Sequence, residues 1–144
     1  MNNQQGFSII EISLVSILFV GILSVGLPFG INAYRNYLMT YEIRNVATIL
    51  RHAQTFALTN TGESRYGVAF LSSEMILFKG NDYSTRNQVF DEIYPRSTTI
   101  AVSAPSEVVF ESLSGNPTAT SSIILGISPK IITVSINDYG AIDW

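Results

Sequence analysis

The chain starts with a short, largely polar stretch, residues 1–6, and then turns apolar. Residues 12–31 carry no charge and are mostly Leu, Ile, Phe and Val. An α-helix rises 1.5 Å per residue, so about 20 such residues cross the roughly 30 Å hydrocarbon core of a bilayer. On insertion scales these side chains contribute on the order of −4 to −8 kcal/mol, against about +2.5 kcal/mol or more for a carboxylate at mid-span. The one carboxylate, Glu11, stands at the head of the run, where its cost is lower, so the pattern predicts insertion despite it. An ionisable residue in that position is a functional candidate that needs a partner.

From Asn32 the polarity changes while helix-compatible residues continue to about Thr59. Ile43, Val46, Ala47, Leu50, Ala53 and Ala57 recur at three- and four-residue spacing and predict one buried stripe. Arg44, Thr48, Arg51, His52 and Thr55 fall largely on other faces. Counted from Ser8, the predicted helix has some fifty residues and a length of about 75 Å. Asn60-Thr61-Gly62 supplies its stop, glycine being suited to a left-handed cap. Inside the span, Gly21, Gly26, Pro28 and Gly30 cluster within a few turns. Proline removes a backbone hydrogen bond and glycine is a poor helix former, so Gly26 and Pro28 mark a site of helix distortion or of close packing through small residues.

After Gly62 the period shortens to two. Residues 66–70 and 75–78 flank Ser72-Ser73-Glu74 as a predicted hairpin, and residues 80–88 read as a surface loop. Further strands are expected at 98–103, 108–111, 122–127 and 131–136. Ile132-Thr133-Val134-Ser135-Ile136 alternates as a strand with one wet face does. Asn137-Asp138-Tyr139-Gly140 turns the chain into a last short strand, 141–144. The fold class expected is α+β: a long N-terminal helix, transmembrane in its first half, packed on a small and mostly antiparallel β domain.

Composition adds boundaries to this picture. At 144 residues there is room for one membrane helix and one domain of about a hundred residues. The mean hydropathy of +0.28 comes largely from the span. A net charge of −3 and a pI near 5.0 give no general attraction to nucleic acid or anionic lipid. The absence of cysteine excludes disulfides, thiol catalysis and thiolate–metal sites.

Candidate chemistry is sparse. His52 is the only histidine, on an amphipathic helix beside Arg51 and Gln54, and reads as surface or edge packing. No Gly-x-Ser-x-Gly elbow accompanies it. Asp91 and Glu92 are adjacent, which on a strand sends them to opposite faces. Asn81-Asp82 and Asn137-Asp138 offer oxygens that calcium can use, but without EF-hand spacing, and turn formation is the stronger reading. No phosphate loop or zinc spacing is present, so no enzymatic activity, cofactor or metal is expected. The soluble part's bases, Arg35, Arg44, Arg51, Arg65, Lys79, Arg86, Arg96 and Lys130, are scattered rather than clustered as DNA binding would favour.

The segment Gly6-Phe7-Ser8-Ile9-Ile10-Glu11 closely resembles the N-terminus of type IV prepilins and type II secretion pseudopilins. Those families share a short polar leader ending in Gly, then Phe or Met, a Glu at the fifth mature position, and a long apolar helix. The resemblance implies a leader at residues 1–6, cleavage between Gly6 and Phe7 by a membrane prepilin peptidase, N-methylation of Phe7, and an assembly role for Glu11. Pro28 matches the helix-bending proline of many pilins. The leader departs from the pattern in carrying no Lys or Arg. A secretory signal peptide would have a basic n-region and a shorter apolar core, and a plain signal anchor would leave Gly6-Phe7 and Glu11 unexplained.

The helix-then-strands order is similar to the GspH/FimT group of minor pseudopilins. The residues that carry this are Arg51-His52-Ala53-Gln54-Thr55-Phe56-Ala57, the hairpin at 66–78, residues 110–117, and Ile136, Asn137 and Gly140. The domain plan expected is a leader at 1–6, a transmembrane or filament-core helix at 7–34, its amphipathic continuation at 35–61, and a β domain at 62–144. The resemblance implies a structural subunit of a type IV pilus or secretion pseudopilus. It sits in the cytoplasmic membrane with its globular domain outside the cytoplasm, then enters a filament. Partners implied are other pilin subunits, prepilin peptidase, the inner-membrane assembly platform and the membrane. The alternative is a pilus-displayed module binding DNA or a cell surface.

Overall fold

The computed structural model describes Gly6 and residues 8–144. The predicted leader residues 1–5 and Phe7 lie outside the described residues. Among those described, a single helix, α1 (Ile9–Leu58), precedes all the strands. Its end is set by Asn60 and Gly62 in the left-handed region, φ 50° and 66°, while the amides of Asn60 and Thr61 bond back to Ala57 and Phe56 carbonyls. Eight strands follow: β1 (Tyr66–Phe70), β2 (Glu74–Lys79), β3 (Glu92–Pro95), β4 (Ala101–Ser103), β5 (Glu107–Phe110), β6 (Ser121–Ile127), β7 (Lys130–Ile136) and β8 (Ile142–Asp143). They form two antiparallel four-stranded sheets, ordered β3-β2-β1-β5 and β4-β6-β7-β8. The class is α+β, as the pattern predicts.

The chain divides into two compact units, Met1–Tyr37 and Leu38–Trp144. In the second, the 38–58 part of α1 buries the predicted stripe, Ile43, Val46, Ala47, Leu50, Ala53 and Ala57, together with Met39, Glu42 and Ile49. Arg44, Thr48, Arg51 and Thr55 face solvent. The buried stripe meets Val68, Leu77, Val108 and Phe110 of the first sheet and Ile123, Leu125, Val134 and Ile136 of the second in one core. Each of these large side chains contributes about 1.5–3 kcal/mol when fully buried.

Two departures from the pattern have physical causes. Strands β1, β2 and β5 of the first sheet are buried on both faces, because Tyr83 of the loop after β2 folds back over their outer side. There Ala69, Phe78 and Val109 pack with Leu71 and Tyr83. Gly67 is required at this point: a β-carbon there would lie 2.6 Å from the Phe78 ring of the paired strand. The second departure is β3, absent from the predicted strands. It is a four-residue edge strand whose two β-forming residues, Ile93 and Tyr94, are adjacent and followed at once by Pro95, so no alternating run announces it.

Candidate functional site

Glu11 lies in the first turn of α1, where a carboxylate is favoured by the unpaired amides of a helix start. Gly6 is exposed and non-helical just ahead of it, and the Ile12 amide bonds to the Ser8 carbonyl at 3.1 Å. Glu11, Ile12, Val15 and Ser16 line an open notch of about 300 Å³ on the helix surface. From there to Ile31 apolar side chains face outward all round the helix, from Leu23 at 40 % to Phe29 at 74 % exposed. The hydroxyls of Ser13, Ser16 and Ser24 are each bonded to a carbonyl of the preceding turn, at 2.8 Å, so they present no unmet donor to an apolar neighbour. Helix α1 is long and apolar enough to cross a membrane, with a mean hydropathy of 2.4 over its most apolar window.

The α-helix runs unbroken through Gly26 and Pro28 in the single chain. β-Carbons built on Gly21, Gly26 and Gly30 meet nothing within 4 Å. The chain's own packing therefore gives no reason for glycine at these three positions. Gly21 and Gly26 lie within an open, nearly flat patch of the helix surface that Ile17, Leu18, Ile22 and Val25 share with them.

The C-terminal part of α1 grips the sheets through polar side chains. Gln54 Nε2 donates to the carbonyls of Gly115 (3.0 Å) and Gly140 (2.9 Å), drawing two separate turns onto the helix. Both glycines have positive φ, 65° and 76°, and neither has room for a β-carbon. At Gly140 one would stand 2.3 Å from Gln54 Nε2, and at Gly115 one would stand 2.5 Å from the Leu58 side chain. Ser112 Oγ donates to Asn60 Oδ1, and the Leu113 amide to the Ala57 carbonyl at 2.9 Å. Arg51 packs over the Trp144 ring at 4.7 Å. Gln54, Gly115 and Gly140, which the sequence does not link to one another, thus share one physical task.

The sheet unit holds two titratable clusters on its helix side. Glu42 is 1 % exposed and its Oε1 lies 3.9 Å from Arg96 Nε, with neither atom hydrogen-bonded. Burial pushes the Glu42 carboxyl up from its ordinary range, against the opposing pull of the Ser97 amide and the Arg96 charge. Arg96 also donates from Nη1 to the Leu71 carbonyl at 3.1 Å. Its place in the sequence, after a proline on an unrecognised strand, gives no sign of this pairing. In the other cluster His52 stacks on Phe56, ring centres 4.3 Å apart, with Nδ1 3.8 Å from Glu92 Oε2 and 3.4 Å from the Tyr94 hydroxyl. Tyr94 donates to Glu92 at 2.5 Å, and burial with that carboxylate pushes its phenol up to about 12.

The remaining candidates are engaged locally. Asp82 accepts from Ser84 Oγ, Thr85 N and Thr85 Oγ1, which hold its carboxyl below the usual range, and Asn137 Oδ1 accepts from the amides of Tyr139 and Ala141. Both act as turn formers. Arg65 pairs with Glu111, Arg86 with Asp91, and Lys79 lies over the Phe90 ring. These three bases are thus spoken for separately rather than gathered into a patch. The architecture is pilin-like, a long N-terminal apolar helix followed by a small antiparallel domain. No protein-family model, curated protein or solved structure matches the chain.

Proposed function

We propose that this chain is a minor pilin or pseudopilin, a filament subunit of the GspH/FimT kind. Prepilin peptidase would remove residues 1–6, and the N-terminal helix would carry the subunit from the cytoplasmic membrane into a type IV pilus or secretion pseudopilus. One observation carries the reading: Glu11 in the first turn of a helix whose following residues, 12–31, expose apolar side chains in every direction. A soluble protein does not leave such a surface uncovered. Lipid covers it before assembly, and neighbouring helices cover it afterwards. Gly21, Gly26 and Gly30, which the chain's own packing does not require, support the second state, since small residues let helix backbones approach closely.

Mass measurement and N-terminal sequencing of protein extracted from membranes of cells with an active prepilin peptidase test the reading. The expected chain begins at methylated Phe7. An intact Met1 terminus in such cells overturns it.

A further inference from the structure

Residues 38–144 carry a knob and a notch that the chain itself leaves unmatched. The knob is Tyr139, 83 % exposed in the turn between β7 and β8, with the exposed Asp138 next to it in the chain. That turn is fixed from several sides. Asn137 Oδ1 accepts from the Tyr139 and Ala141 amides, the Gly140 amide donates to the Asn137 carbonyl at 2.9 Å, and Gln54 holds the Gly140 carbonyl. The notch is half open, about 180 Å³, and formed where Thr40, Ile43 and Arg44 of α1 meet Ile132 of β7 and Trp144. Arg51, over the Trp144 ring, steadies that last wall. We propose that the Asp138-Tyr139 turn of one copy of this chain docks in the Arg44 notch of a second copy.

Charge selects the occupant. Arg65, Arg86 and Arg96 each face a carboxylate of their own chain, whereas among the described residues neither Arg44 nor Asp138 has an ion-pair partner. Docking sets Asp138 against Arg44 and lays the Tyr139 ring against Ile43, Ile132 and Trp144. Tyr, Trp and Arg are the side chains that most often dominate protein contacts, and a turn already fixed by its own hydrogen bonds loses little freedom on binding. One open arginine on a chain of net charge −3 suits a single carboxylate better than a row of phosphates. Gln54, which holds the knob, comes ten residues after Arg44 on α1, a rise of about 15 Å. Knob and notch are thus different surfaces. Two parallel copies offset by about that distance bring them level, and such a contact repeats from copy to copy without closing. It involves residues 38–144 alone and is independent of how the N-terminus is processed.

Sedimentation velocity of the full chain in density-matched detergent measures this self-association. The wild type should associate at concentrations below about 1 mM. Arg44→Glu and Asp138→Arg each set like charges face to face and should weaken association about tenfold or more, as should Tyr139→Ser, which removes the knob. Mixing the Arg44→Glu and Asp138→Arg chains, or joining both changes in one chain, should restore it, because opposite charges meet again. Residues 12–31 are identical in every variant, so association through them stays constant. A urea midpoint equal to that of the wild type checks that each variant folds. Should a charge reversal not fold, Arg44→Gln and Asp138→Asn take its place, and each should weaken association. A wild-type chain that stays monomeric to that concentration, single variants that associate as the wild type does, or reversed charges that fail to restore association overturn the proposal.

Discussion

At Gly140 the backbone holds φ 76°, and the space a β-carbon would fill is taken by the Gln54 amide and, at 2.7 Å, by the Gly115 carbonyl. A side chain there meets two penalties at once, the left-handed conformation and the loss of a bond that draws two turns to the helix. Strain of that kind costs on the order of 1–3 kcal/mol. Gly126 is the internal control, since its φ is ordinary and its nearest neighbour, an Ile131 side-chain atom, is 3.7 Å away. Gly140→Ala should therefore lower the urea midpoint of the full chain in detergent, while Gly126→Ala should shift it by a few tenths of that amount. Equal midpoints for the two variants would contradict this account of Gly140.

Between elements, the contact most exposed to test is the one between α1 and the crossover that follows β3. Breaking a buried ion pair on one side typically costs about 3–5 kcal/mol, while replacing both charges by matched neutral groups is often neutral. Arg96→Met should thus destabilise the chain by about that amount at pH 7 and by less in acid, where Glu42 takes up a proton instead. Glu42→Gln/Arg96→Met should recover most of the loss and show a flatter pH dependence. Urea unfolding at pH 7.5 and 5 measures both, and a single-variant loss independent of pH would count against the pairing. The same elements show where sequence is legible. The stripe from Ile43 to Ala57 is plain because its spacing matches a helix, and β1, β2, β6 and β7 are plain because they are long and rich in apolar or β-branched residues. Met39 and Glu42 extend the stripe by one turn, but a buried glutamate breaks the apolar pattern that reveals such a face. The partner that makes Glu42 tolerable sits 54 positions away in number, 96 − 42, and no local rule joins them. Glycines 115 and 140 carry a turn signal, yet their dependence on Gln54 is a tertiary fact.

For the whole molecule the decisive quantity is the apolar surface that residues 12–31 leave open. Under the proposed assembly, each subunit trades lipid for the helices of its neighbours, and Glu11 makes that trade with its charge. A carboxylate enclosed by apolar helices costs several kcal/mol unless it is paired. The proposed cleavage after Gly6 would create one suitable cation, the amine of Phe7, on the same chain or on the subunit alongside. When the neighbour supplies it, only one axial register pairs both charges. A subunit displaced from that register would bury two unmatched ions, so on this proposal Glu11 would select position as well as admit the subunit. Glu11→Gln keeps size and apolar surroundings but removes this selection and leaves an amine unmatched. The variant should insert in the membrane and be cleaved as the wild type is. Its recovery in sheared filaments should fall about tenfold or more, since 1.4 kcal/mol of lost pairing already corresponds to a factor of ten. Quantitative immunoblotting of membrane and filament fractions from the same cells separates these steps. Wild-type recovery in filaments would show that Glu11 does not set register in this subunit, whereas loss already at the membrane or cleavage step would place its role before assembly.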